Sequence, residues 1–488
     1  MSRIVVVGGG ISGLAAAHRI VELSPTAQVT LIEASSRLGG TIRTDERDGF
    51  LLERGPDSFI SEKPEAVALA KRLGLESRLV HTNHEHRRSF IVRNGRLRPV
   101  PEGFQLLAPS RIWPFLTTDI FSLAGKARMA ADLVLPRRSS NGLSDESLSS
   151  FVRRRLGREA LERMAQPMVG GIYTADPETL SLRATLPRFL DMERDHRSLI
   201  LAMLRKARSQ ASAEKSGTSG ARYSLFLSFD RGMEVLVQAL EQKLEENVLQ
   251  PGSTLSRTGV KLSQVDVRKE TRVQSLSRAT AGWRIQLSSS ETLEADAICL
   301  ALPAYVAAEL LTNINQTLAN ELNQINYAST ATINFTYRRA AIQHPLDGFG
   351  FVVPFVEKRS LIACTFSSVK FAGRAPYDHV LLRAFAGGAL QPEMFALDEA
   401  DMLQRVEQDL RELLGINERP LFAEVAKWQN SMPQYEVGHL DRVEAVENAL
   451  SQLPDLALAG NAYRGAGIPD CIRSGETAAE KLINFLKA

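Results

Sequence analysis

The sequence predicts an α/β chain: a parallel sheet assembled from separated stretches, a second part of α+β character around a mixed sheet, and a helical insertion. Three observations lead there. An apolar run at residues 4–7 meets a glycine cluster and then a small-residue helical pattern in RIVVVGGGISGLAAAHRI, which reads as strand, tight turn and helix start. Strand and helix patterns return far downstream, in ETLEADAICLALPA and LALAGNAYRGAGIPDCIRSGETAAEKLINFL. Between them, from 104 to about 208, the pattern is helical and is broken by Pro109, Pro114 and Pro136.

Gly8, Gly10 and Gly13 have G-x-G-x-x-G spacing. The first permits the turn, the second lets backbone N–H groups approach a pyrophosphate at the positive end of a helix, and the third lets helix pack on strand. QVTLIEA then ends in Glu33, twenty residues beyond Gly13, where a dinucleotide site expects an acid for the adenosine ribose hydroxyls. A Rossmann-type unit follows, and the charge of Glu33 disfavours a ribose 2′-phosphate and so NADP. KPEAVALAKRLGLESRL supplies a further helix to this unit. At 88–101, RSFIVRNGRLRPVP alternates apolar and polar residues about Asn94-Gly95, a hairpin signal. SQASAEKSGTSGARYS, small, polar and rich in glycine and serine, reads as a mobile surface loop. RGMEVLVQALEQKL is an amphipathic helix, followed by a series of strands.

At 488 residues the chain exceeds one ordinary core, so two or three interleaved domains are expected. A net charge of +3 with no basic tail excludes nucleic acid as a favoured partner. Cys299, Cys364 and Cys471 form no C-x-x-C pair, which fits a reducing compartment and speaks against structural disulfides or a thiolate zinc site. His81, His84 and His86 lack helical ligand spacing and read as surface histidines, so no metal is assigned. The chain enters a strand at once and has no apolar run of membrane-spanning length. A cytoplasmic protein is expected, with peripheral contact on the inner face of a membrane left open.

After Glu33 comes ASSRLGGTIRTDERDGFLLERGPDSF, in which Arg37, Gly39 and Gly40 form an R-x-G-G element. With the glycine turn, it resembles the FAD-dependent amine-oxidase superfamily. ERGPDSF, GGIYTADPETLSL, MPQYEVGH and GIPDCIRSG together resemble, within that superfamily, the porphyrinogen oxidases of haem biosynthesis, which act on protoporphyrinogen or coproporphyrinogen III. The likeness runs from the first strand to the last helix. It implies noncovalent FAD and a six-electron oxidation of a porphyrinogen to the porphyrin, with oxygen as acceptor. Cys471 is not taken as a covalent flavin link, because GIPDCI looks like the noncovalent pattern.

Carried over position by position, the resemblance puts FAD contacts on Gly8, Gly9, Gly10, Ile11, Ser12, Gly13, Glu33, Ala34, Arg37, Gly40 and Thr41. It adds the turn of Gly55, Pro56, Asp57 and Ser58, the backbone of Val273 at the adenine edge, and Ala466, Gly467 and Ile468 over the isoalloxazine. Trp428 or Leu440 is expected at the flavin. For the substrate, Gly171 lies over the macrocycle, Val352, Thr365 and Phe385 form its wall, and Arg88 pairs with a propionate. Thr365 departs from the apolar residue expected there. The implied division is an FAD-binding part at 1–85, 230–303 and 440–488, a substrate part at 86–103, 211–229 and 304–439, and a helical, membrane-associating insertion at 104–210. Within this insertion, bulky apolar residues are interspersed with basic ones. A homodimer and hand-over of product to a later enzyme of the pathway remain open. So do two other readings: another flavin amine oxidase or carotenoid desaturase, and a non-catalytic flavin-binding protein held at a membrane.

Overall fold

The computed structural model describes residues 1–138, 145–215, 226–246 and 264–488. The first βα unit is β1 (Arg3–Val7), α1 (Ile11–Leu23) and β2 (Gln28–Ile32). The hairpin about Asn94-Gly95 is β3 (Phe90–Arg93) and β4 (Arg96–Pro99). From the helical stretch the site draws α2 (Gln166–Tyr173). Downstream follow β5 (Gln264–Arg268), β6 (Ala297–Leu300), β7 (Tyr327–Arg338) and β8 (Gly350–Val352). Next are β9 (Ala363–Phe366), β10 (His379–Gly387), α3 (Glu399–Leu414) and β11 (Phe422–Pro433). The chain closes with α4 (His439–Leu450), β12 (Leu456–Leu458) and α5 (Ile468–Lys487).

The first sheet is parallel, in the order β5-β2-β1-β6-β12. Its strands are near-continuous apolar runs because both faces are covered: Ile4 and Val6 lie in one core with α1 and α5, Val5 and Val7 in another with residues of α4. Strand Phe226–Phe229, allotted from sequence to the substrate part, pairs instead with Phe59–Ile60 and Leu79–His81. Leu227 and Phe229 are buried with Phe59 in the core of α1, which explains the pairing. The polar segment read as a loop is helical as far as Lys215, the end of helix Leu199–Lys215; its remaining residues lie outside the described ones.

The second sheet is mixed, in the order β11-β7-β10-β9-β8-β3-β4, with only β8 and β3 parallel. Side chains alternate between faces with period two. Ala331, Ile333, Phe335, Leu382 and Ala384 face a core closed by Val406 and Leu410 of α3. The opposite face carries Thr332, Asn334, Arg383, Phe385, Thr365 and Val352, and it looks onto the Glu53–Ser58 stretch and the helical part. That part has its own core around Phe151, Met164 and Phe189. Inside it lies a fully buried ion pair, Arg155 Nε donating to Asp132 Oδ1 at 2.7 Å.

Candidate flavin and substrate site

The glycine turn joins β1 to α1. Gly8 has φ +105° and its N–H donates to Ile32 O at 2.7 Å. A Cβ on Gly13 would stand 1.8 Å from Gly8 O, so only glycine lets α1 start this close to the strand. Gly10 caps α1, and the N–H groups of Ile11, Ser12 and Gly13 belong to its first turn, where a helix offers unpaired donors and a positive end. Glu33, beyond β2, accepts from Gly9 N at 2.7 Å and from Ser35 N at 2.8 Å. With Gly8, Ala34 and Val273 it lines a cavity of about 460 Å³ at the strand ends.

The R-x-G-G element lies against this turn. Gly39 bridges to Gly10, and Gly39 N donates to Gly9 O at 2.8 Å. Arg37 donates to the carbonyls of Leu38 (3.0 Å), Ile42 (2.9 Å) and Gly40. Its guanidinium therefore shapes the loop holding Gly40 and Thr41, and burial lowers its pKa.

Residues 53–57 form a strap held through its carbonyls by side chains. Asn334 donates to Glu53 O (3.1 Å), Thr332 to Arg54 O, Trp428 Nε1 to Arg54 O (2.8 Å) and Arg383 to Gly55 O. Ser228 donates to Asp57 O at 2.7 Å. All but Ser228 come from β7, β10 and β11, so the mixed sheet fixes the turn of Gly55, Pro56, Asp57 and Ser58. Asp57 is held well below the usual carboxylate range by Lys370 and Arg383, which overcome its burial.

On the substrate side, Val352, Ala363 and Phe385 are cross-strand neighbours on one face, and Thr365 shares that face opposite Arg383. Gly171 lies on α2 with space above it: a Cβ there would meet Val352 Cγ1 at 3.7 Å. The helix widens to π geometry over Leu161–Ala165, just before α2, a deviation common at functional sites. Gly171, Val352, Thr365 and Phe385 are thus brought together. Arg88 is not. It precedes β3 and is 57% exposed, in an ion pair with Asp347.

Ala466, Gly467 and Ile468 begin α5, with Gly467 as the cap. The loop before them is held by the P-Q-Y-x-x-G-H element. Tyr435 OH donates to Asn461 O at 2.5 Å and accepts from Gly465 N at 2.9 Å, while His439 Nε2 meets Tyr463 O at 2.8 Å. Tyr435 and His439 stack at 4.1 Å. Leu440 is half-buried in the first turn of α4. Cys471 is buried, and burial pushes its thiol up to about 12, which leaves it protonated and unreactive at neutral pH.

A sequence profile of flavin containing amine oxidoreductases matches residues 11–483. The chain belongs to this family. Coproporphyrinogen III oxidase of Bacillus subtilis (strain 168) is 36% identical over 99% of this chain and 98% of its own. Chloroplastic protoporphyrinogen oxidase of Nicotiana tabacum is 30% identical over 99% and 85%. A crystal structure of an Exiguobacterium sp. 255-15 protein superposes with a TM-score of 0.84 at 31% identity, covering 100% of this chain and 99% of that one. Putrescine oxidase, at 16% identity and TM-score 0.67, shares the fold. The protein is an FAD-dependent oxidoreductase. The residues fit that cofactor: a glycine turn at a helix start for the diphosphate, and an acid on a cavity at the strand ends for the adenosine.

Sequence reasoning missed Thr332, Asn334, Lys370 and Arg383, and found P-Q-Y-x-x-G-H only as a motif. For Thr332 and Asn334 the signal was present in TATINFTY, where polar residues alternate strictly with apolar ones, marking a sheet face that is not core.

Proposed function

We propose that this enzyme oxidises a porphyrinogen, coproporphyrinogen III at least as well as protoporphyrinogen IX, to the porphyrin in haem biosynthesis, with oxygen as acceptor. The observation that carries the reading is similarity along essentially the whole chain to proteins named for those two activities. FAD, when bound, supplies the two-electron chemistry. The chain's part is to hold, orient and shield. The turn at Gly8–Gly13 takes the diphosphate and Glu33 the ribose. The start of α5 and the 53–57 strap would hold the ring system, and Val352, Phe385 and the bare Gly171 would give a broad macrocycle flat apolar walls. No proton-transfer triad is needed. FAD is noncovalent, in keeping with the buried, protonated Cys471 thiol.

Turnover by the purified holoenzyme, followed by porphyrin fluorescence, tests the reading. Both porphyrinogens should be oxidised and simple amines should not. Oxidation of amines with no porphyrin formed would overturn it.

The helical part is further proposed to rest on a membrane surface. No described helix is long and apolar enough to cross a membrane, yet Ile112, Trp113, Leu116, Leu123 and Val134 are all more than half exposed, near Arg111 and Lys126. Exposed apolar side chains beside basic ones suit an interfacial segment. Flotation with anionic liposomes should carry the protein upward; no binding to anionic or neutral vesicles would reject this role.

A further inference from the structure

We propose that Arg383 is the carboxylate-binding residue of the substrate wall, taking one of the acids on the rim of the porphyrinogen. The proposal rests on the porphyrinogen reading and gives it the recognition element that Arg88 does not supply.

Position comes first. Arg383 lies on β10, directly opposite Thr365 on β9 and two residues before Phe385, so all three side chains share the wall face. Its guanidinium carbon stands 4.7 Å from the Phe385 ring centroid. The side chain is 4% exposed, and its Nε has no hydrogen-bond partner among the described residues. A buried, unpaired donor on a charged group is costly unless a ligand completes it.

Charge balance points the same way. Lys370 and Arg383 both pair with one carboxylate, Asp57. Lys370 Nζ donates to both Asp57 oxygens, at 3.1 and 3.0 Å, and to Ser58 Oγ at 3.1 Å. Arg383 reaches Asp57 only at 3.4 Å, and otherwise donates to the neutral carbonyl of Gly55. Glu53 does not make up the deficit. It is buried, bound by the Thr44 hydroxyl (2.7 Å) and Met233 N–H (2.8 Å), and burial pushes its pKa up to about 7. Arg374 adds another buried cation, satisfied by the carbonyls of Phe229 and Asp230 and the Ser228 hydroxyl. The cluster is thus short of an anion, and buried charges call for partners. A guanidinium stacked on an aromatic ring is well matched to a planar carboxylate. The same excess of cations would repel a protonated amine, so one feature separates a porphyrinogen from the amines that relatives of this fold oxidise.

The test pairs the residue with the substrate acid. FAD-loaded wild type, R383Q and R383K are assayed with coproporphyrinogen III and with its methyl ester, reading KM and kcat by porphyrin fluorescence. Wild type should favour the acid by about tenfold or more in KM, as a charge-assisted hydrogen bond allows. R383Q should bring acid and ester within about twofold of each other, and R383K should restore part of the difference. T332V releases the neighbouring strap carbonyl without changing charge, and should keep the wild-type ratio. If R383Q slows acid and ester alike and preserves their ratio, Arg383 only positions the strap and the proposal falls. Loss of FAD from R383Q and R383K, with the ratio intact in any residual holoenzyme, would make the flavin the missing anion and overturn it equally. A wild type that oxidises neither compound sinks the porphyrinogen reading itself.

Discussion

Glu53 sits where water cannot reach it, and its protonation links the strap to pH. Its ordinary value of 4.5 rises in the fold to about 7 through burial. The folded state therefore keeps the proton that the unfolded state gives up above 4.5. The stability contributed is full below 4.5, falls as pH rises towards 7, and is gone above it, a change of about 3 kcal/mol at ~1.4 kcal/mol per unit. E53Q, neutral throughout, should gain on the wild type by that order between pH 4.5 and 7.5 in denaturant unfolding. His18, His344 and His439 act in the opposite sense. Burial lowers each below 6.5, so stability should fall as pH drops through 6.5 and stay flat above it. Thermal midpoints across pH 5–8 check this, and H439Q should flatten part of the acid limb. Glu33 and the glycines were legible because their chemistry is local to a turn and a strand end. Arg383 and Lys370 were not, because what gives them meaning is Asp57, more than 300 residues away in each case.

At the level of elements, the flavin end depends on two supports, and each can be cut. Y435F removes one bond to Asn461 and one from Gly465, so apo-protein should rebind FAD about tenfold or more weakly, at ~1 kcal/mol per bond. Gly475 is where α5 crosses α1: a Cβ there would stand 2.1 Å from Ser12 O. G475A should cost roughly 1–3 kcal/mol, as overpacking does, and should also weaken FAD binding by displacing the start of α1. Equilibrium unfolding and FAD titration read the two effects separately. The strands and the hairpin were plain in the alternation and in Asn94-Gly95. What the motif P-Q-Y-x-x-G-H does was not, since Tyr435 and His439 act on a loop that follows them by a whole helix and strand. Helix Leu199–Lys215 outran its apolar pattern because alanine, glutamate and lysine at its end are good helix formers.

Taken whole, the molecule is built on two large sheets joined through the strap, with the helical part against the second. With the Cys471 thiol buried and protonated, acid precipitation should leave the yellow colour in the supernatant; colour retained in the pellet would reject noncovalent FAD. The order of the parallel sheet has a bearing on how the protein is made. Val5 at its centre pairs with Ile298, which in turn pairs with Leu456. At roughly 5–20 residues per second of translation, β1 leaves the ribosome many seconds before β6 and longer still before β12. Until then its apolar edge is an unfilled place in a sheet, open to pairing with other nascent chains. The glycine turn, which borders Ala301 just after β6, is likewise unfinished until synthesis is well past its midpoint. FAD can then act only on chains in which β6 has been made, and chaperone cover of the open β1 edge, more than cofactor supply, should set how much active protein a cell accumulates.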